Sequence, residues 1–96
     1  MMDYRQVIRR PIVTEKSMRL MRMGKYTFEV DSRANKGMIK EAVKRLFGVD
    51  VVKVNTITIP GATKRRGQHY YHVPGMKKAI VTLKPGQKIE IEGLST

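Results

Sequence analysis

Two stretches of the chain alternate between apolar and polar residues, as half-buried strands do, and a third is rich in β-branched residues. The clearest covers residues 25–30, where every second position is bulky and apolar: Tyr26, Phe28 and Val30. Residues 51–59 are rich in β-branched side chains and predict a second strand, whose apolar phase changes between Val54 and Ile57. That change indicates a bulge or a twist. Alternation returns over residues 78–83 and predicts a third strand.

Helical spacing is strongest between the first two predicted strands. Five apolar residues recur there at intervals of three and four: Ile39, Ala42, Val43, Leu46 and Phe47. The segment Asp31-Ser32-Arg33-Ala34-Asn35 offers turn and cap chemistry before them, and Gly48 follows them as a stop signal. This segment therefore predicts the main helix of the protein.

A shorter helix is predicted over residues 14–21. Thr14 can cap its start, and Glu15 lies in its first turn. Val13 is expected to pack on Met18 as a hydrophobic staple. Met18 and Met21 share one face, which we expect to point towards the core.

The order of these elements predicts an α+β fold in a single small domain covering residues 1–96. Residues 60–78 form a long basic loop between the second and third strands, which we expect to be structureless. A turn at Pro85 and Gly86 leads into a short strand at residues 89–91. Because consecutive strands with no helix between them pair antiparallel, we expect a mostly antiparallel sheet with helices packed against it. Such a long loop in a compact domain is normally functional.

The charge of the chain points to a polyanionic partner. The sequence holds 20 Lys and Arg against 8 Asp and Glu, which gives a formal net charge of +12 and a pI near 10.4. Residues 60–78 contain five of these cations and no acidic residue. Because a basic surface binds phosphate chains strongly, nucleic acid is the first partner to consider.

Composition argues against several other classes of protein. The chain has no cysteine, and two histidines alone do not make a convincing zinc site. The longest uninterrupted aliphatic run is Ala79-Ile80-Val81, too short for a signal peptide or a bilayer span. We therefore expect a protein that is neither secreted nor membrane-spanning, with no metal, no other cofactor and no small-molecule substrate.

The candidate RNA-binding residues fall into three groups. The loop contributes Lys64, Arg65, Arg66, His69, Tyr70, Lys77 and Lys78. The start of the chain contributes Arg9, Arg10 and Lys16, and the outer face of the main helix contributes Lys36 and Lys40. Cations neutralise phosphate, and arginine can also stack on an unpaired base. For Tyr70 and its neighbour Tyr71, stacking on RNA and packing at the core edge are both open.

Two other functions fit part of this pattern. His69 and His72 could act as acid and base on an RNA phosphodiester, but no nucleophile or carboxylate cluster accompanies them. Alternatively, the charge could draw a peripheral protein to anionic lipid. No sustained amphipathic helix carries bulky apolar anchors, so liposome binding should be weak. The pattern favours a non-enzymatic RNA-binding protein.

Short motifs distributed over nearly the whole chain resemble one known family. They include Pro11-Ile12-Val13-Thr14-Glu15-Lys16-Ser17, Tyr26-Thr27-Phe28-Glu29-Val30, Lys64-Arg65 with Gly67, and Lys77-Lys78-Ala79-Ile80-Val81-Thr82-Leu83. In their order and spacing, these motifs resemble the bacterial-type ribosomal protein uL23 family of the large ribosomal subunit.

The resemblance implies a structural protein that binds large-subunit rRNA beside the exit of the polypeptide tunnel, with its loop along the tunnel wall. It also implies neighbouring ribosomal proteins as partners and a ribosome-bound location in the cytoplasm. By the same resemblance, Glu15 matches the acidic residue that anchors trigger factor. The signal recognition particle and the membrane translocation channel are expected at the same surface.

Overall fold

The computed structural model describes residues 3–90 and confirms the α+β class. Three helices cover Tyr4–Val7 (α1), Glu15–Arg22 (α2) and Lys36–Phe47 (α3). Six strands cover Ile8–Pro11 (β1), Lys25–Val30 (β2), Val51–Ile59 (β3), Ala62–Arg66 (β4), His69–Val73 (β5) and Met76–Leu83 (β6). Four of these strands form one antiparallel sheet in the order β1-β2-β6-β3, and β4 pairs with β5 alone.

The core lies between this sheet and α3. Its largest fully buried side chains include Phe28 of β2, Val81 of β6, and Ile39 and Val43 of α3. The Phe28 ring stacks on the ring of Phe47, with centroids 5.7 Å apart. The apolar spacing that predicted α3 is therefore the spacing of the helix face that contacts the sheet.

Local side chains fix the starts of the two longer helices as the sequence predicts. In α2, the Thr14 hydroxyl accepts from the Ser17 backbone N–H, and the Ser17 hydroxyl accepts from the Thr14 backbone N–H. In α3, the Asn35 side chain accepts from the backbone N–H of Met38. These bonds satisfy N–H groups that have no partner inside a helix.

The predicted inward orientation of Met18 is wrong. Its side chain is 41 % exposed, and Val13, its expected staple partner, is exposed as well. Met21 and Met38 do pack against the core. The helix α2 is only two turns long, so one apolar row is enough to attach it, and Met18 lies outside that row.

Two short elements at the start of the chain are absent from the sequence predictions. Asp3 caps α1, and Tyr4, Val7 and Ile8 place side chains in or against the core. The strand β1 then pairs with β2 at the edge of the sheet. Elements of four residues each are too short to show a hydrophobic period.

The irregularity in β3 lies earlier than predicted. The register against β6 shifts between Val51 and Lys53, whereas pairing is continuous from Lys53 to Ile59. The apolar change after Val54 has another cause, because Ile57 lies on the opposite face of the sheet and is exposed. The strand β3 simply presents apolar residues on both faces.

The basic segment is an ordered β-hairpin and not a structureless loop. It lies between the antiparallel strands β3 and β6, as predicted, but 62–73 form the paired strands β4 and β5. Gly67 and Gln68 connect them, and Gly67 has a φ of +66°, which suits the first position of a two-residue hairpin turn. The strand β6 begins at Met76, so Lys77 and Lys78 belong to the sheet.

The end of the described chain differs from the prediction in one respect. The turn at Pro85 and Gly86 is present, but no strand follows it as far as residue 90. Ile89 is buried, and its backbone N–H donates to the Tyr26 hydroxyl at 3.2 Å. Ile91, the other residue of the expected strand, lies outside the described residues.

Candidate nucleic-acid interface

The hairpin of β4 and β5 displays its charged and aromatic side chains on two faces. Directly paired residues of antiparallel strands share a face, so the pairing assigns each one. One face carries Lys64, Arg66, His69 and Tyr71, and the other carries Arg65, Tyr70 and His72. All seven are exposed, so both faces of the hairpin are accessible to a ligand.

Each face pairs a cation with an aromatic ring. The Arg65 guanidinium lies 5.8 Å from the centre of the Tyr70 ring, and its Nε donates to the Gly67 carbonyl at 2.6 Å. On the other face, Lys64 lies directly across from Tyr71. Tyr70 is 69 % exposed, so this ring does not cover the core edge. Its face is available for stacking on a base.

In the part of the chain that the structure describes, no ion pair joins a cation of the hairpin to an acidic side chain. The ion pairs found in residues 3–90 join Arg9 and Arg33 to Asp31, Arg10 to Glu29, Arg19 to Glu15 and Arg45 to Glu41. None of them involves Lys64, Arg65 or Arg66. Like charges held close together repel one another until an anion neutralises them.

A narrow neck joins the hairpin to the sheet. Pro60-Gly61 leaves β3 directly opposite Pro74-Gly75, which enters β6. The two backbones approach so closely that a Cβ on Gly75 would lie 2.8 Å from the Gly61 nitrogen and 2.8 Å from the Ile59 oxygen. The neck therefore fixes where the hairpin leaves the sheet.

A second group of cations lies at the end of the sheet from which the hairpin extends. Asp31 is buried there and accepts hydrogen bonds from the Arg33 backbone at 2.9 Å and from the Arg33 side chain at 3.1 Å. Arg9 lies 3.6 Å from the same carboxylate. The Arg33 side chain, followed by its backbone N–H, holds the pKa of Asp31 well below its usual range. One buried carboxylate thus orients two arginines.

Asp31→Asn should lower the free energy of unfolding at neutral pH. It should also make that free energy fall less steeply as the pH is lowered. The folded-state pKa of Asp31 is lowered, so its contribution is present above about pH 4 and is lost as the pH falls towards the folded value. Urea unfolding at about pH 7, 4 and 3 measures this as a shallower decline for the variant than for the parent protein. Parallel declines would contradict the role given to Asp31.

The other predicted site residues occupy distinct surfaces. Lys36 and Lys40 are exposed on α3, and Lys16 is exposed on α2. Lys77 is half-buried, and its amine donates to the Ala34 carbonyl at 2.6 Å, just before α3. Lys78 is half-buried in β6. The sheet therefore connects the hairpin to the start of α3 through Lys77.

Arg33 is a member of this basic surface that the sequence did not single out. Its side chain is exposed beyond the Asp31 pair. The sequence signal was Asp-Ser-Arg in a turn, since aspartate often bonds to its own backbone two residues later. That signal predicts a turn, but it does not reveal that Arg9 shares the carboxylate.

The arrangement as a whole has the chemistry of an anion-binding surface built on an antiparallel sheet. The family model for ribosomal protein L23 matches residues 6–91 of the chain. The chain belongs to the ribosomal protein L23 family. The resemblance noted in the short motifs is thereby confirmed.

Individual relatives agree with the family model over nearly the full chain. The chain is 52% identical over 95 residues to the large ribosomal subunit protein uL23 of Pelotomaculum thermopropionicum, which covers 98% of this chain and 100% of that protein. It is 51% identical over 92 residues to uL23 of Geobacillus stearothermophilus, covering 96% of each. It is 47% identical over 90 residues to uL23 of Roseiflexus castenholzii, covering 94% and 96%.

Membership of the L23 family decides against the enzymatic alternative, because these are structural ribosomal proteins and not enzymes. The hairpin geometry agrees. His69 pairs with Arg66 and His72 with Thr63, so the two imidazoles lie on opposite faces and do not converge on one phosphodiester. Within residues 3–90, no three side chains form a metal-ligand cluster. No helix in that range is long and apolar enough to cross a bilayer.

Proposed function

We propose that this L23-family protein is a structural constituent of the large ribosomal subunit that binds rRNA through its hairpin. The observation that carries the proposal is the exposed group of Lys64, Arg65 and Arg66, which no carboxylate neutralises within the described chain. The family name and its relatives' names support the ribosomal location. The protein acts bound to the ribosome in the bacterial cytoplasm.

Phosphate neutralisation supplies most of the binding free energy in this proposal. Each cation that contacts a phosphate releases condensed counterions, which makes binding strong and dependent on salt. Arg9, Arg33 and Lys36 extend the basic surface from the hairpin base to the start of α3. Lys77 contributes by holding β6 against the Ala34 carbonyl, while Lys78, Arg10, Lys16 and Lys40 provide additional phosphate contacts.

Stacking of RNA bases on the exposed rings adds recognition of RNA shape to the attraction between cations and phosphates. Tyr70 and Arg65 form a paired platform whose exposed side can receive an unpaired base. Tyr71 offers a second ring on the opposite face, and His69 offers a hydrogen bond beside it. A hairpin with ligand groups on both faces suits a cleft between RNA segments better than a flat RNA surface.

The hairpin shape also supports a position along the wall of the exit tunnel. Its five-residue strands give a projection of about 17 Å at 3.4 Å per residue, and the longest axis of the molecule measures 52 Å. Such a projection can cross from the subunit surface into a narrow channel while the sheet stays outside. In this position the protein also contacts neighbouring ribosomal proteins.

Cosedimentation with ribosomal particles tests the proposal. The tagged full chain should stay with the large subunit through a high-salt wash and through dissociation of the subunits, at about one copy per particle. Recovery in the small-subunit or soluble fraction would overturn it. Binding of the purified protein to large-subunit rRNA, titrated against salt, then separates RNA contact from contact with other proteins.

We further propose that Glu15 forms part of a docking site for trigger factor. The side chain is 84 % exposed in the first turn of α2, and its one ion pair among residues 3–90 is with Arg19, at 3.0 Å. A partner's arginine can replace Arg19 at little cost, because exposed ion pairs contribute little stability. The same surface would receive the signal recognition particle and the translocation channel.

Glu15→Ala should weaken trigger factor binding to ribosomes about 5- to 10-fold, as expected for the loss of one charge-assisted contact. The affinity of the protein for rRNA should not change. Fluorescence titration of labelled trigger factor with ribosomes carrying the variant measures the first effect, and rRNA binding measures the second.

The chain offers a matched control for this change. Glu41 of α3 pairs with Arg45 in the same i,i+4 geometry, at 2.7 Å, and its side chain is 55 % exposed. Glu41→Ala removes the same charge and the same kind of pair from another surface. Equal losses of trigger factor affinity in the two variants would count against a local role for Glu15.

A further inference from the structure

A groove lies between the edge strand β1 and the C-terminal end of α3. It has a volume of about 370 Å³, within the range of about 300 to 1,000 Å³ typical of small-ligand sites. Five apolar side chains line it: Ile8, Pro11, Phe28, Leu46 and Phe47. None of them belongs to the hairpin, and the groove adjoins the basic surface described above through Arg9 and Arg10.

The floor of the groove is aromatic and firmly held. Phe47 lines it, and its ring stacks at 22° on Phe28, which is fully buried in the core. Leu46 forms a wall and is 39 % exposed, although large aliphatic side chains favour burial. A flat apolar ligand in the groove would contact both Leu46 and the aromatic floor.

Three arginines form the rim of the groove: Arg5, Arg9 and Arg10. Arg9 pairs with Asp31 and Arg10 with Glu29, yet their side chains remain 56% and 65% exposed. Glu90 is the one acid that lines the groove within residues 3–90. The lining side chains thus carry three positive charges and one negative, while Asp31 and Glu29 each pair with one of the arginines. More than half of the Arg9 and Arg10 side chains is exposed and available to an anion beside the apolar floor, which complements a flat ring flanked by anions.

The edge of β1 is poorly suited to the addition of a peptide strand. It has four residues, its register shifts between Ile8 and Arg10, and Pro11 has no backbone N–H to donate. Short length, a bulge and proline are features that protect sheet edges from strand pairing. A ligand of this groove thus binds through its side groups and not through a backbone ladder.

We propose that this groove is a subsite for one unstacked nucleobase of RNA. The base lies against Phe47 and Leu46, and the phosphates on either side of it bind the arginine rim. This inference rests on the proposed RNA-binding function and adds to it a second contact of different chemistry. The hairpin supplies charge and two exposed rings, whereas the groove supplies a concave apolar site.

The test compares two single-stranded RNA heptamers of equal charge, one intact and one with an abasic central position. Fluorescence anisotropy gives their affinities for the full-length chain with Tyr70→Ala and Tyr71→Ala, which removes the other exposed rings of the hairpin. We expect the intact heptamer to bind about tenfold more tightly, the effect of one stacked base. Nuclear Overhauser effects between base protons and the Phe47 ring should accompany it.

Two further variants locate the effect. Leu46→Ala removes the wall and should abolish most of the preference for the intact heptamer. Val52→Ala, at an exposed apolar residue of β3, should leave the preference unchanged. The inference is overturned if both heptamers bind equally, or if Leu46→Ala keeps the preference.

The outcomes also separate this inference from the proposed function. Equal, salt-dependent binding of both heptamers would leave RNA binding intact and remove only the base subsite. No binding of either heptamer or of large-subunit rRNA would remove both proposals. Resonance shifts at Leu46 and Phe47 on adding a heptapeptide of alternating glutamate and leucine, without such shifts on adding RNA, would assign the groove to a protein partner instead.

Discussion

Replacing Lys64, Arg65 and Arg66 with alanine should weaken binding to large-subunit rRNA about 100-fold at about 0.15 M salt. The three side chains are exposed, and within the described residues none has an acidic partner. The substitution therefore breaks no internal ion pair and exposes no core. It also releases Tyr70 from the Arg65 guanidinium, which weakens the stacking platform.

The salt dependence of binding identifies the physical cause. Three lost phosphate contacts should lower the slope of log affinity against log salt by about two to three. The matched control replaces Lys53, Lys84 and Lys88, three exposed lysines away from the hairpin, with alanine. It lowers the net charge equally, so an equal loss of affinity would mean that overall charge, and not the hairpin, binds RNA.

The elements that sequence predicts best are those with one buried face. In α3, apolar residues recur at helical spacing because that face contacts the sheet, and Asn35 marks its start. In β2, Tyr26, Phe28 and Val30 alternate because their face lies in the core. In both elements only one side is buried, so apolar residues recur along the sequence at the spacing of a helix or of a strand.

The hairpin lacks that period because both of its faces are exposed. Its many polar residues led to the prediction of a loop. The β-branched Thr63 and Val73 nevertheless favour strands, and Gly67 favours a turn between them. Its strands form because β3 and β6 pair antiparallel and hold the two ends of the segment together. The structure of the hairpin therefore depends on the pairing of β3 with β6, and the composition of the hairpin segment does not indicate that pairing.

The candidate site was predictable in composition but not in arrangement. The cations of the hairpin stand out because no acid accompanies them. The assignment of Arg65 and Tyr70 to one face, and of Lys64 and Tyr71 to the other, depends on the register set by the two-residue turn. The position of Arg9 beside Arg33 depends on β1, which was too short to predict.

Gly75→Ala should misdirect the hairpin while leaving the core folded. Its Cβ would lie 2.8 Å from the Gly61 nitrogen and the Ile59 oxygen, and 3.2 Å from the Pro60 carbonyl carbon. All three are backbone atoms, so no side chain can rotate away, and the two sides of the neck must separate. Overpacking of this kind costs about 1 to 3 kcal/mol of unfolding free energy.

The same change should lower rRNA affinity about tenfold or more, although no RNA-binding side chain is altered. A hairpin held by a close neck presents its cations in one direction, whereas a loosened hairpin must lose conformational freedom when it binds. Spin labels at the hairpin turn and on α3 should report a broader or shifted distance distribution in the variant. Urea unfolding and RNA titration measure the other two effects.

Gly37→Ala provides the matched control for Gly75→Ala. A Cβ at Gly37 meets only the Asn35 side-chain oxygen, at 3.4 Å, and alanine in a helix is favoured over glycine by up to about 1 kcal/mol. This variant should keep or raise stability and should bind rRNA as the parent does. If Gly75→Ala also binds rRNA as the parent does, the direction of the hairpin is not set by the neck, and the RNA itself must orient the cations on binding.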